Sequence, residues 1–467
     1  MMNRLLLLLL LPSFLISCKN TKQQDYAFLK GFFPNAKDSL IILYHNNNPI
    51  DTVTFNENKK FSLRLSLSEG KLYHFEVDNN YQYIFLEPKD SLIVSANALN
   101  FHETISFSGK GAAINSFISQ QTNDFDKENL TLKKFNLLLP DDYRKKMDSV
   151  YKAKVQMYDA FIAKNPELSE KAKNIALVSS TFPLYKEMET FAFVFQKDNR
   201  NPTKGFLLPK NFYDYRRKIN FNDHFLEYYR PYYGYMVMFI NNLALKKLGL
   251  KSERTDVNRE EDFHLKKIKV IDSIFPSGSM RDNLYRNAAY SYVFNIQHNG
   301  ECQCYVDEFN KYNQDNIHKA ELESFFKSTI ALQTGSMPPN FEVIDLKENL
   351  TDLSRIVKPE TTVYYFWSVN QPEMSSLIFN RVLQLRALFP DIQFTGIDVG
   401  QDVEEWLNKA PSVQGIEQFH ATDFTDLSRK FLINNISKSF ILGKDIRIIS
   451  AFESIFSPNI EKILLNN

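Results

Sequence analysis

Residues Thr362–Met374 constrain the fold more than any other stretch of the chain. Thr362, Val363, Tyr364, Tyr365, Phe366 and Trp367 form an unbroken β-branched and aromatic run, the composition that favours strands. The run gives way to Ser368-Val369-Asn370-Gln371, and Pro372 follows where the first turn of a helix would begin. A strand, a turn and a helix are therefore predicted in that order. Downstream, Leu377, Ile378, Val382, Leu383, Leu385 and Leu388 recur at helical spacing, and Ile392–Val399 reads as a buried parallel strand. Trp406 falls in a following helix, and Phe440–Leu442 with Ile446–Ile449 read as a hairpin. Asp398, at the end of a predicted strand, reads as a cap or turn former.

This order resembles the thioredoxin-like proteins, in which Phe-Trp-Ala-Ser-Trp leads into Cys-x-x-Cys. Laid over that pattern, the two cysteine positions fall on Gln371 and Met374. Thiol–disulfide exchange needs a thiolate, and neither side chain can supply one. The position before Phe-Trp, often a buried Asp in the family, is Tyr365. The family's cis-Pro stretch corresponds to Ile436-Ser437-Lys438-Ser439-Phe440-Ile441-Leu442-Gly443, with Ser437 in place of the proline. A cis bond before a non-proline residue costs about 2.5–4 kcal/mol, so a trans bond and a differently shaped loop are expected there. Pro338-Pro339-Asn340-Phe341-Glu342-Val343 is similar to the start of envelope proteins of the TlpA/ResA type, so the resemblance runs from about Pro339 to Asn467. It implies a frame that is kept and a redox chemistry that is lost. A binding groove would then lie at Trp367, Asn370, Gln371 and Ser437.

The N-terminus carries a second signal. Arg4 precedes the apolar run Leu5–Leu11, and Leu15-Ile16-Ser17-Cys18 follows. A basic start, a short apolar stretch and small residues make a secretory signal, and the run is too short to span a bilayer. Leu-x-Ser-Cys resembles a bacterial lipobox. That resemblance implies lipidation at Cys18 and a membrane anchor through its acyl chains. Lys19 follows Cys18, so the best-known inner-membrane retention signal is absent. The expected location is the cell envelope, at the outer membrane facing the periplasm.

At 467 residues there is chain enough for two or three domains. The net charge of +1 gives no field for nucleic acid. Tyr26–Phe107 alternates in short runs: Tyr26–Phe33, Ser39–Tyr44, Thr52–Phe55, Phe61–Leu67, Leu72–Val77, Tyr81–Leu86, Ser91–Val94 and Thr104–Phe107. Polar turns such as His45–Asn48 separate them, and this spacing predicts a small sandwich or barrel. Glu87-Pro88-Lys89-Asp90 and Gly109-Lys110-Gly111, with Asn115 beyond, are similar to motifs of a β-domain found in front of some envelope thioredoxin-like lipoproteins. There Glu-Pro-Gly-Asp and Gly-x-Gly-x-x-x-Asn are usual, so Lys89 stands where a glycine is common. From about Ala113 to Thr334 the pattern is helical, with Lys145–Ala163 and Glu260–Phe275 as examples and loops at Asp198–Lys204 and Pro276–Ser279.

Two clusters could carry chemistry. Cys302 and Cys304, near His298, are the only thiols besides Cys18. They read either as a relocated redox pair or as incidental cysteines in a loop of the helical region. Three groups at that spacing make a poor metal site, and no metal or cofactor is expected. Tyr228, Tyr229, Tyr232, Tyr233 and Tyr235, with Phe225 and Phe239, could line a glycan or peptide surface, but aromatic stripes at helical spacing more often form core.

The sequence thus predicts an α+β multidomain protein. Residues 1–18 are a signal peptide with lipobox, 19–25 a tether, 26–112 a β-sandwich or barrel, 113–334 a helical region and 335–467 a thioredoxin-like α/β domain. The expected role is non-enzymatic binding of an unidentified protein partner or client. The alternative is a thiol–disulfide oxidoreductase working through Cys302 and Cys304.

Overall fold

The computed structural model describes residues 25–78, 80–198, 207–248, 257–295, 302–410 and 415–467. Cys18, His298 and most of the Asp198–Lys204 segment lie outside the described residues. The fold is mixed α+β. The chain divides into two compact units: the chain up to Phe135 with Ser149–Thr181, and Asn136–Asp148 with Phe182–Asn467.

The first unit holds eight strands, of which the first, fourth and seventh alternate buried and exposed residues most clearly. The eight are β1 (Tyr26–Phe32), β2 (Leu40–His45), β3 (Asn48–Thr54), β4 (Lys60–Ser66), β5 (Lys71–Val77), β6 (Asn80–Leu86), β7 (Ser91–Ser95) and β8 (Ser106–Lys110). One sheet has the order β4-β1-β7-β8, with β1 and β7 parallel; the other is β3-β2-β5-β6 and wholly antiparallel. Leu29 and Leu92 from the first sheet share one core with Leu43, Phe75 and Ile84 from the second, so the β-region is a sandwich. Each such side chain contributes about 1.5–3 kcal/mol of burial.

The β2–β3 hairpin turns on Asn46 and Asn47, whose φ values are 51° and 60°. Asparagine suits the paired positive φ of a tight hairpin. The last strand starts later than predicted. Phe101–Thr104 form a helical turn, α1, which places Phe101 in the core, and β8 begins at Ser106.

The glycine and asparagine motifs have a structural use. Lys89 adopts φ 70°, and the buried Asp90 carboxylate accepts from Glu87 N–H at 2.8 Å. Gly109 has φ 84°, and a Cβ there would strike the Ser91 carbonyl. Asn115, on α2 (Ala112–Phe135), is fully buried beside edge strand β6. It accepts from Phe85 N–H at 2.7 Å and donates to Phe85 O at 2.8 Å, standing in for a further strand.

Helices dominate the middle of the chain: α3 (Pro140–Lys164), α4 (Glu170–Asp198), α5 (Arg230–Leu248), α6 (Glu261–Ile274), α7 (Ser279–Asn295), α8 (Cys302–Tyr312) and α9 (Lys319–Ala331). The unit boundary falls within α3 and α4. Tyr229, Tyr232 and Tyr235 are buried in the second unit, so the aromatic stretch is core and not a binding face. Buried Glu189 accepts from Tyr215 OH at 2.7 Å, Arg216 Nε at 2.7 Å and Asn242 Nδ2 at 2.7 Å. A buried carboxylate persists only with such partners.

The second unit also holds a seven-stranded sheet. Its strands are β9 (Glu342–Ile344), β10 (Leu350–Asp352), β11 (Thr362–Trp367), β12 (Gln393–Asp398), β13 (Glu417–Ala421), β14 (Ser439–Leu442) and β15 (Ile448–Ser450). The order is β10-β9-β13-β12-β11-β14-β15; β11, β12 and β13 are mutually parallel, β14 is antiparallel to β11, and β15 is antiparallel to β14. This is the strand–helix–strand followed by hairpin that the resemblance implied. Strand β13 was not anticipated.

Helices α10 (Leu353–Ile356), α11 (Pro372–Leu388), α12 (Val403–Lys409), α13 (Phe424–Phe431) and α14 (Pro458–Leu465) complete this part. The apolar stripe of α11 is narrower than predicted: Ile378, Val382 and Leu385 are buried, while Leu377, Leu383 and Leu388 are exposed. Among the described residues, no helix is long and apolar enough to cross a membrane.

Candidate functional site

All six side chains of β11 are buried, so the chain emerges from the sheet only at the turn after Trp367. That turn is closely held. Asp398, at the end of the neighbouring strand and fully buried, accepts from Val369 N–H at 3.0 Å and Gly400 N–H at 3.1 Å. His420 Nδ1–H, from β13, donates to the same carboxylate at 2.7 Å. Ser375 Oγ donates to Ser368 O at 2.8 Å and accepts from Ser368 N–H at 3.0 Å, locking the turn to α11. Asn370 Oδ1 accepts from Gln401 N–H at 3.0 Å. Pro372 occupies the first helical position, where its missing N–H costs nothing.

On this rigid frame Gln371 is exposed and Met374 half-buried. A helix N-terminus favours a thiolate, but an amide and a thioether cannot attack or form a disulfide. At these two positions the turn offers no thiol for disulfide exchange.

Trp367 does not line a groove. It is buried, packs edge-on against Phe379 at 4.9 Å, and donates from Nε1 to Gln418 Oε1 at 3.0 Å. Gln418 Nε2 in turn donates to Tyr365 OH at 2.9 Å, and burial pushes the Tyr365 phenol above its ordinary pKa. The place often held by a buried Asp in the family thus carries a neutral hydroxyl that accepts from Gln418.

Strands β11 and β14 pair Tyr365 with Ser439. Continued by two residues, that register sets Ser437 alongside Trp367. Among the described residues no peptide bond is cis, as expected for Ser437. The backbone of Ser437 is occupied: its N–H donates to Asn435 Oδ1 at 2.9 Å, and its carbonyl accepts from Ile455 N–H at 2.7 Å. Only its hydroxyl, 3.2 Å from Ser454 Oγ, remains for a partner.

Lys438, next in sequence, is buried. Its Nζ donates to the Phe431 and Leu432 carbonyls at 2.6 and 3.1 Å, capping the C-terminus of α13, and sits 4.8 Å over the Phe452 ring. Burial pushes its ammonium down to about 7. Gln418, His420 and Lys438 were not singled out from the sequence. The signal was available only as polar residues inside short apolar runs.

Of the two readings of Cys302 and Cys304, the one that sets them in a loop is corrected: the backbone is helical from Cys302, and Cys304 is a free, exposed thiol. Among the described residues, no group of three His, Cys, Asp or Glu is placed to hold a metal ion.

No family model and no curated protein matches the chain. Solved structures match part of it. A thioredoxin domain of a thiol-disulfide oxidoreductase from Bacteroides vulgatus is 18% identical; 28% of this chain and 99% of that chain are covered, with a TM-score of 0.25. A thiol:disulfide interchange protein from Bacteroides sp. is 19% identical, with 26% and 81% covered and a TM-score of 0.23. The thioredoxin-like reading of this chain rests on the strand order of its own seven-stranded sheet.

Proposed function

We propose that this protein is an envelope lipoprotein, anchored through Cys18 at the outer membrane facing the periplasm, whose thioredoxin-like domain binds a protein partner without exchanging disulfides. One observation carries the reading. The turn before α11 is fixed by Asp398, Ser375 and Asn370, yet the two positions that would hold a dithiol carry Gln371 and Met374. A frame kept rigid without its nucleophiles suits recognition, because preorganisation lowers the cost of binding. The contact surface comprises Asn370, Gln371 and the Ser437 hydroxyl; Trp367 supports it from beneath.

A photo-crosslinking residue at Gln371, introduced in cells, tests this. A discrete protein adduct that disappears with Asn370→Arg is expected. Absence of any adduct, from a chain shown to be exported, counts against the proposal. Lipidation is read separately: Cys18→Ser should release the protein from the membrane fraction, and unchanged membrane association would contradict the anchor.

A further inference from the structure

A cleft of about 500 Å³ lies between α7, α9 and α13, away from the turn at Gln371 in sequence. That volume suits a small molecule. One wall is aromatic and rigid: Tyr290 and Phe325 stack at 4.1 Å, and Phe294 meets Phe325 edge-on at 5.8 Å. Across from these helices, α13 brings Phe424, 41% exposed, to the cleft. An exposed phenylalanine beside a concave aromatic wall is a surface that a ring would cover.

Both charged side chains on the lining, Glu321 and Arg429, already have partners. Glu321 accepts three hydrogen bonds from Arg286 at 2.6–2.8 Å and one from Tyr290 OH at 2.6 Å. Burial works to raise its carboxyl, but these bonds outweigh it and hold it below the usual carboxylate range. Arg429 is bonded to Asp426 at 2.7 Å. Asp426 is also held by Lys430 at 2.7 Å, so no charge on the lining waits for a ligand to compensate it. Ser324, Thr425 and Asn434 offer neutral hydrogen-bonding groups on the same lining.

We propose that this cleft binds an uncharged small molecule with a flat, ring-bearing apolar body and one or two hydroxyl, amide or arylamine groups. The site is independent of the partner surface at Gln371.

Titration of the purified full chain with the neutral dye N-phenyl-1-naphthylamine tests the assignment by fluorescence. Ser324→Trp and Thr425→Trp, both at exposed positions, fill the cleft without disturbing the core, and circular dichroism checks their fold. A saturable component is expected that each variant weakens about tenfold or more. The anionic analogue 8-anilinonaphthalene-1-sulfonate should bind about tenfold more weakly than the neutral dye. No saturable component, or one that both variants leave unchanged, overturns the site. Equal affinity for the sulfonate overturns the assignment to uncharged ligands.

Discussion

At the scale of single residues, several side chains that look chemical are structural. Asp398 has the marks of a catalytic carboxylate, since it is buried beside a histidine at the C-terminal end of a strand. Its oxygens are spent on Val369 N–H, Gly400 N–H and His420. Asp398→Ala leaves these donors buried and unpaired. We expect a loss on the order of 3 kcal/mol in urea unfolding, with faster amide exchange at Val369 and Gly400. Stability within about 0.5 kcal/mol of wild type would show that the turn holds without it.

Lys89 makes the opposite case. Its φ of 70° is one that glycine adopts freely, and its ion pair with Asp25, 3.9 Å long and exposed, contributes little. Lys89→Gly should therefore stabilise the protein by about 1 kcal/mol despite the added freedom of the unfolded chain. A lower melting temperature would contradict this. The motif was legible in the sequence; its cause, a positive φ beside the buried Asp90, needed coordinates.

At the scale of elements, what the sequence revealed and what it hid follow from one physical difference. Short β-rich runs located most strands of the sandwich, but they caught only the end of β3 (Asn48–Thr54) and the start of β8 (Ser106–Lys110), whose residues are almost all exposed. Strand β11 was visible as a continuous apolar run. Strand β13 was not, because Gln418 and His420 break the pattern while pointing into bonds with Trp367, Tyr365 and Asp398. A buried polar side chain looks like a surface one until its partner is known.

The α6–α7 contact shows the same effect in a helix. Lys267 of α6 is buried, with Nζ donating to Ser291 Oγ of α7 at 3.1 Å. Burial pushes its ammonium down to about 7, whereas an unfolded lysine titrates near about 10.4. Between these values the unfolded state binds more protons, so stability rises with pH across that window and is lowest below it. Lys267→Met should stabilise most below about pH 7 and have little effect above about pH 10. Urea midpoints across that range measure it. A variant less stable than wild type at low pH would show that the lysine helps the fold as a cation.

At the scale of the molecule, a β-sandwich, a run of helices and a seven-stranded sheet follow one another along the chain, and the α+β class was legible throughout. The candidate site was legible only in outline. Gln371, Met374 and Ser437 could be named because they replace residues of known kind, and Trp367 was misplaced because an aromatic at a strand end gives no sign of which way it packs.

The central claim is that the turn before α11 keeps its geometry and has no exchange chemistry. Its most direct test is dithiol-driven reduction of a protein disulfide, comparing wild type with Gln371→Cys/Met374→Cys and Cys302→Ser/Cys304→Ser. The account predicts background rates for the wild type and measurable turnover once two thiols stand at the start of α11. Turnover by the wild type that is lost with Cys302→Ser/Cys304→Ser would contradict it and place the chemistry on α8.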